Sequence, residues 1–184
     1  MDARHYSTTE CLRDGRVVEI RALRPDDREG MRNALLRMSD QSITRRFFAP
    51  RRSLSEKEVA TFMDIDFDNH VALVALLPVE GRPVIVGGSR YIVTEPGTAE
   101  VAFAIDDALQ HRGLGTLLIK HLALIASERG LRQFVAEMLP ENTAMLGLMR
   151  KSGLELTTRH EYGLIRAVAQ LPPPSTTSPA PHHD

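Results

Sequence analysis

The chain has 184 residues, 42% of them hydrophobic and 26% charged, and its 23 basic and 24 acidic side chains leave a formal net charge of −1. That length predicts one domain able to bury roughly 70% of its unfolded surface without metal or disulfides. The near-neutral balance argues against a protein whose main work is coating nucleic acid or an acidic membrane, and the single cysteine, Cys11, excludes an internal disulfide or a Cys-clustered zinc site.

Residues 1–15 show no periodicity and are expected to form a flexible N-terminal segment. Val17 to Leu23 reads as a strand. Pro25 opens a helix, with Asp26 and Asp27 at its positive end and Met31, Leu35 and Met38 on one face. Ser55 and Glu58 have capping-box spacing and predict a second helix. Val71–Leu77 and Val84–Thr94 are β-rich runs separated by a Pro/Gly turn, which predicts a hairpin, and Ala99 to Ile105 supplies a third strand after it. Leu114, Leu117, Leu118, His121, Leu122 and Ile125 then recur at helical spacing up to Gly130, a natural stop. A strand at 132–138, a helix at 142–152 and an extended region broken at Gly163 complete a domain over 16–170. Residues 171–184 are proline-rich and expected to be a disordered tail, too mobile for His182, His183 and Asp184 to preorganise a metal. No metal is therefore expected, and the absence of an apolar leader or span predicts a cytoplasmic protein with no membrane partner.

The chemistry concentrates in residues 100–116, where a strand feeds a glycine-containing loop that opens the long helix. Such a junction aims unpaired amides and a helix dipole at one point, an arrangement that suits phosphate. Gly113 and Gly115 would allow close backbone approach. No Lys-Ser/Thr follows, so it is not a P-loop, and the third glycine of a dinucleotide fingerprint is missing. Alternation along the strand places Val101, Phe103 and Ile105 on a core face and Glu100, Ala102 and Ala104 on an open one, unless a bulge intervenes.

Gln110-His111-Arg112-Gly113-Leu114-Gly115 resembles the Gln/Arg-x-x-Gly-x-Gly/Ala acyl-CoA signature of the GNAT superfamily of N-acetyltransferases. Glu141-Asn142 through Lys151-Ser152-Gly153-Leu154 is similar to its second signature, an Asn-led helix ending in Lys-x-Gly-Phe. More narrowly, Arg46-Phe47-Phe48, Asp66-Phe67-Asp68 and Ala99-Glu100-Val101-Ala102-Phe103 resemble the catalytic domain of bacterial Pat-like protein-lysine acetyltransferases.

The resemblance implies an α/β (α+β) fold, a mixed, largely antiparallel sheet flanked by helices on both faces, and acetyl-CoA as co-substrate. Backbone amides of Gln110, His111, Arg112, Gly113, Leu114, Gly115 and Thr116 would cradle the pyrophosphate. The strand edge at Phe103, Ala104 and Ile105 would bond the pantetheine arm, and Asn142 would make a polar contact to CoA besides capping its helix. A lysine-like amine has a pKa of about 10.4, so a base must remove its proton. Glu100 matches the family's glutamate and is the candidate general base. Many superfamily members protonate the leaving thiolate with a tyrosine where this chain has Met149, which leaves Tyr162 or water as the acid.

Other residues read as structural. His121 fits a boundary histidine, Asp64, Asp66 and Asp68 a helix-ending acidic turn, and Arg45, Arg46, Arg51 and Arg52 either a phosphate contact or a solvated basic face. The expected function is acetyl transfer to a primary amine, preferentially a protein lysine. The alternatives are a small-amine N-acetyltransferase and a non-catalytic acyl-CoA sensor. Oligomeric state is not legible.

Overall fold

A computed structural model describes residues 2–47 and 55–174. Eight strands, β1 (Ser7–Cys11), β2 (Val17–Ala22), β3 (His70–Val79), β4 (Arg82–Glu95), β5 (Thr98–Ile105), β6 (Gln133–Met138), β7 (Glu155–Glu161) and β8 (Leu164–Gln170), form one sheet in the order β1-β2-β3-β4-β5-β6-β8-β7. All neighbours are antiparallel except β5 and β6, which run parallel because a helical crossover connects them. The helices are α1 (Arg28–Arg37), α2 (Asp40–Phe47), α3 (Glu56–Met63), α4 (Leu114–Glu128) and α5 (Thr143–Lys151). The mixed sheet with helices on both faces is the predicted architecture.

The main core lies between the sheet and α4, whose Leu114, Leu118, Ile119, Leu122 and Ile125 are buried against Leu73, Tyr91, Val101 and Phe134. Each such aliphatic side chain contributes roughly 1.5–3 kcal/mol by leaving water. The opposite face carries a smaller cluster of Leu23, Ala72, Val74, Leu76 and Ile85 under Ala34 of α1 and Met63 of α3. The Ser55–Glu58 capping box forms as predicted, Ser55 accepting from the Glu58 amide while the Glu58 carboxylate accepts from the Ser55 amide.

Two expectations need correction. Residues 7–11 are not a flexible segment, because β1 pairs with β2 along its whole length while Ala3 and Leu12 are buried. His121 pins this strand: its Nε2 donates to Glu10 Oε1 at 2.9 Å, and its Nδ1 accepts from the Tyr6 hydroxyl at 2.5 Å. The pattern Ser-Thr-Thr-Glu-Cys hid the strand because neither face of it is fully buried. Second, Pro25–Asp27 forms a short 3-10 turn before α1, and α2 is an additional helix that the polar residues 40–47 had concealed. Asp27 does more than favour a helix dipole. It is buried in a bidentate pair with Arg21, at 2.6 and 2.7 Å, and accepts from the Arg24 amide.

The acidic turn is built on Asp66, whose Oδ1 accepts from the amides of Asp68, Asn69 and His70. Within the proline-rich end, the Leu171 amide donates to Arg132 O at 2.8 Å, and Leu171 packs on the core. Residues 175–184 of that tail, with His182, His183 and Asp184, lie outside the described residues, as do Phe48, Arg51 and Arg52. No helix of the described residues is long and apolar enough to cross a membrane.

Candidate active site

The parallel pairing of β5 with β6 is short. It joins Thr98 to Gln133, Ala99 to Phe134 and Glu100 to Val135, and then stops, although β5 continues to Ile105 and β6 to Met138. The two strands splay, and a cleft of about 420 Å³ opens between them. Its walls include Glu100 to Ile105, Gln110, His111, Gly113, Gly115, Thr116 and Asn142.

The splay exposes backbone. Asp106 donates its amide to Val86 O on the β4 side, so antiparallel alternation turns the amides and carbonyls of Phe103 and Ile105 toward the gap. The nearest register shift of β4 against β5 lies between Val93 and Glu95, outside this stretch. The predicted faces therefore hold: Val101, Phe103 and Ile105 pack with the core, while Ala102 and Ala104 face the α1–α3 side.

The loop from Asp106 to Gly113 ends at the head of α4. Gly113 has φ +92°, a left-handed conformation that L side chains rarely adopt, and it turns the chain into the helix. Among the described residues, the amides of His111, Gly113, Leu114, Gly115 and Thr116 meet no acceptor, as a first helical turn requires. Gly115 serves packing rather than ligand approach, since a Cβ there would meet Ile105 Cδ1 at 3.0 Å and Leu148 Cδ1 at 3.1 Å.

Most predicted site residues converge, with two exceptions. Leu114 turns its side chain into the core, and Arg112 lies outside the lining, its carbonyl accepting from the Arg13 amide. Gln110 points toward α2, donating to Ser42 Oγ at 3.1 Å and Asp107 Oδ1 at 3.2 Å. Asn142 caps α5 through Oδ1, which accepts from the Met145 amide at 3.1 Å. Met149 is buried in the core, and Tyr162 is fully exposed on the β7–β8 turn, away from the cleft.

Several lining residues escaped the sequence reading. Arg13 reaches Gly113 from the segment before β2, with its Cγ 3.3 Å from where a Gly113 Cβ would sit. Glu137 and Ser42 also line the cleft, and Lys151 of the second signature joins them with Arg45 and Arg46 of α2, for which a phosphate contact is one of the two expectations. Arg13, Arg45 and Lys151 bring positive charge to the cleft lining. No local signal marks Arg13, Ser42 or Glu137, because their proximity depends on how distant elements pack. Glu100 is exposed at the last paired position of β5, where the cleft opens.

The model for the acetyltransferase (GNAT) domain matches residues 18–155. Acetyltransferase PA5475 of Pseudomonas aeruginosa is 38% identical over 140 residues, 76% of this chain and 75% of that protein. Acetyltransferase Pat of Mycolicibacterium smegmatis is 29% identical over 170 residues, and the chain spans about half of its length, 49%. The crystal structure of the GNAT domain of S. lividans PAT shares 34% sequence identity with a TM-score of 0.81, covering 90% of this chain and 97% of that one. A splayed parallel strand pair facing the amides of a helix head, in a chain with these matches, identifies it as a member of the GNAT acetyltransferase family.

Proposed function

We propose that the chain transfers the acetyl group of acetyl-CoA to a primary amine, preferentially a protein lysine, with Glu100 as general base. The observation that carries this reading is the position of Glu100, the last β5 residue paired with β6, at the point where the cleft opens.

The residues present fit the co-substrate. The first-turn amides of α4, the head of its dipole, and the positive charge of Arg13, Arg45 and Lys151 suit a pyrophosphate. The unpaired strand edge at Phe103 and Ile105, where the Ile105 carbonyl accepts only a long 3.4 Å bond from Gln110 Nε2, suits an amide-bearing arm laid alongside as an added strand. Bound acetyl-CoA supplies an activated acetyl thioester. An edge amide of β5 is placed to polarise a carbonyl in the gap. Glu100 takes a proton from the acceptor's ammonium group, directly or through one water, which leaves the neutral amine to attack the thioester carbonyl; its exposure favours the relay. Asn142 lines the cleft and keeps Nδ2 as a donor after Oδ1 is spent on capping. Water protonates the leaving thiolate, since neither Met149 nor Tyr162 reaches the cleft.

Support for a protein acceptor comes from the similarity to the S. lividans PAT domain, joined to the Pat-like motifs around Arg46, Asp66 and Glu100. Thiol release from acetyl-CoA, measured against panels of small amines and of lysine-bearing proteins, tests the reading. Acetyl-lysine formation on a protein supports it, and release with small amines alone overturns the acceptor. In Glu100→Gln, kcat/KM is expected to fall about 10²- to 10⁴-fold with acetyl-CoA affinity unchanged. Unchanged turnover removes Glu100 from its role, and tight acetyl-CoA binding without turnover on any acceptor favours the sensor alternative.

A further inference from the structure

On the α1–α3 face of the sheet, a second cavity of about 80 Å³ adjoins the cleft. Met38, Arg46, Ala102 and Ala104 line both, so the two spaces meet beneath the open face of β5. The far wall includes Phe62 of α3 and Arg90 of β4.

Two guanidinium groups share Phe62. The Arg90 carbon Cζ lies 4.4 Å from its ring centroid and that of Arg46 lies 5.7 Å away, with Arg46 also 4.9 Å from the Phe47 ring. Phe47 meets Phe62 edge-on at 5.8 Å, which holds the group together. Arg90 donates to Phe62 O at 3.3 Å and approaches His70 Nε2 at 3.4 Å. His70 Nδ1 faces Asp64 O at 3.0 Å and therefore carries the ring proton, so Nε2 is an acceptor and brings no counter-charge.

Among the described residues, no carboxylate lies within 4.0 Å of Arg46 or Arg90. Arg16, Arg21, Arg28, Arg32, Arg37, Arg129 and Arg166 all have one. Burial pulls Arg90 down to about 9, with Arg46 adding to the effect, and burial also lowers Arg46 despite the charge of Glu100. Stacking on a ring returns only about 0.5–2 kcal/mol per cation, and like charges sharing one ring repel. Desolvated cations left without a counter-charge in contact are costly, and an anion arriving with a ligand would relieve that cost.

We propose that Arg46 and Arg90 form an anion subsite on the acceptor side of β5, selecting an amine that has a carboxylate close by. This deepens the proposed function and rests on it, since it takes the Ala102–Ala104 face as the acceptor side. The planar guanidinium donors match a carboxylate, and the apolar Met31, Leu35 and Met38 wall suits the methylenes of a long side chain. The carboxylate has two sources: an acidic residue flanking the target lysine, or the acid group of a small amino acid. The first fits the protein-lysine reading.

The test uses paired acceptors differing only in charge: a lysine peptide flanked by Glu against the same peptide flanked by Gln, and free lysine against its decarboxylated diamine. Wild type is expected to favour the acid-bearing member of a pair by about tenfold or more in kcat/KM. Preference within the peptide pair identifies a flanking residue, and preference within the small pair identifies the acceptor's own acid. Arg90→Gln should abolish that preference, Arg90→Lys should restore part of it, and Arg90→Gln should leave acetyl-CoA affinity as in wild type. Arg46→Gln provides an independent arm should Arg90→Gln fail to fold.

A parallel calorimetric titration replaces the lysine by norleucine, so that binding is read without reaction. Tighter binding of the Glu-flanked form, lost in Arg90→Gln, supports the subsite even if no transfer occurs, and in that case it is the acetyl-transfer reading that fails. Transfer with no charge preference in either pair overturns the subsite and leaves the enzyme reading standing. Absence of charge preference in both binding and transfer also overturns it.

Discussion

The Ser42 hydroxyl donates a 2.7 Å hydrogen bond to Oδ1 of Asp107, tying α2 to the loop that precedes α4. The same carboxylate accepts from the Ser39 amide at 2.8 Å, the Ser39 hydroxyl at 3.0 Å and Gln110 Nε2 at 3.2 Å. Burial pushes this carboxyl upward, but the hydrogen bonds from Ser42 and Ser39 outweigh it and hold the group below its ordinary range. The helix that supplies Arg46 to the acceptor face is thus anchored to the proposed phosphate loop.

Asp107→Ala releases that anchor at a residue that does not itself line the cleft, although its partners Ser42 and Gln110 do. It is expected to raise KM for acetyl-CoA by about five- to tenfold with a smaller change in kcat, because the loop amides lose their fixed aim. Asp107→Asn keeps an acceptor oxygen and should fall between. Equal KM values in all three proteins would show that the loop holds its shape alone.

The two glycines of the loop should fail in different ways. At Gly113 the positive φ makes any side chain strained, so Gly113→Ala is expected to cost about 1–2 kcal/mol and to weaken acetyl-CoA binding by turning the loop amides. Gly115→Ala instead crowds Ile105 and Leu148, at about 1–3 kcal/mol. Leu148→Val should recover part of the Gly115→Ala loss and none of the Gly113→Ala loss, as read from denaturation midpoints.

Asp27 makes the fold acid-sensitive. Burial alone would raise its carboxyl, but the paired Arg21 and the Arg24 amide hold it below its ordinary value. The unfolded chain therefore binds the proton more readily, and the stability from this pair is complete above about pH 4 and lost as pH falls further. Asp27→Ala leaves the buried Arg21 with only the longer, 4.0 Å contact to Glu19 and its bond to Ala22 O, for an expected loss of about 3 kcal/mol at neutral pH. Chemical denaturation of both proteins from pH 7 to pH 3 should show the difference shrinking at the acid end.

His121 adds an earlier step. Burial lowers it below its ordinary range, against the opposing pull of Glu10, so the folded state resists protonation more than the unfolded chain does. Its contribution is whole above about pH 6.5 and declines as pH falls below that value. His70, lowered by burial and by Arg90, acts in the same direction. His121→Gln should flatten the stability profile between pH 7 and pH 5, and hydrogen exchange should show β1 losing protection in the variant. An unchanged profile would remove His121 from the clasp on β1.

The amino-acid order alone determined every element whose signal is local. The hairpin of β3 and β4 follows from two β-rich runs around a Pro/Gly turn, α4 from apolar spacing ended by Gly130, and the start of α3 from Ser55 and Glu58. The two signature motifs carried most of the cleft in the same way, because they sit on single strand-loop-helix units.

Tertiary structure decided the rest. β1 exists because Val17–Ala22 offers it a ladder and His121 a clasp, neither of which its own five residues announce. The splay after Glu100 and Val135 is a relation between strands joined through a helix, so no stretch of sequence contains it. Arg13 reaches Gly113, Ser42 reaches Asp107, and Arg46 and Arg90 meet over Phe62 only through packing across elements. Local periodicity reports the face on which a residue lies; the partner it meets there is set by strand pairing and by helix packing over the sheet.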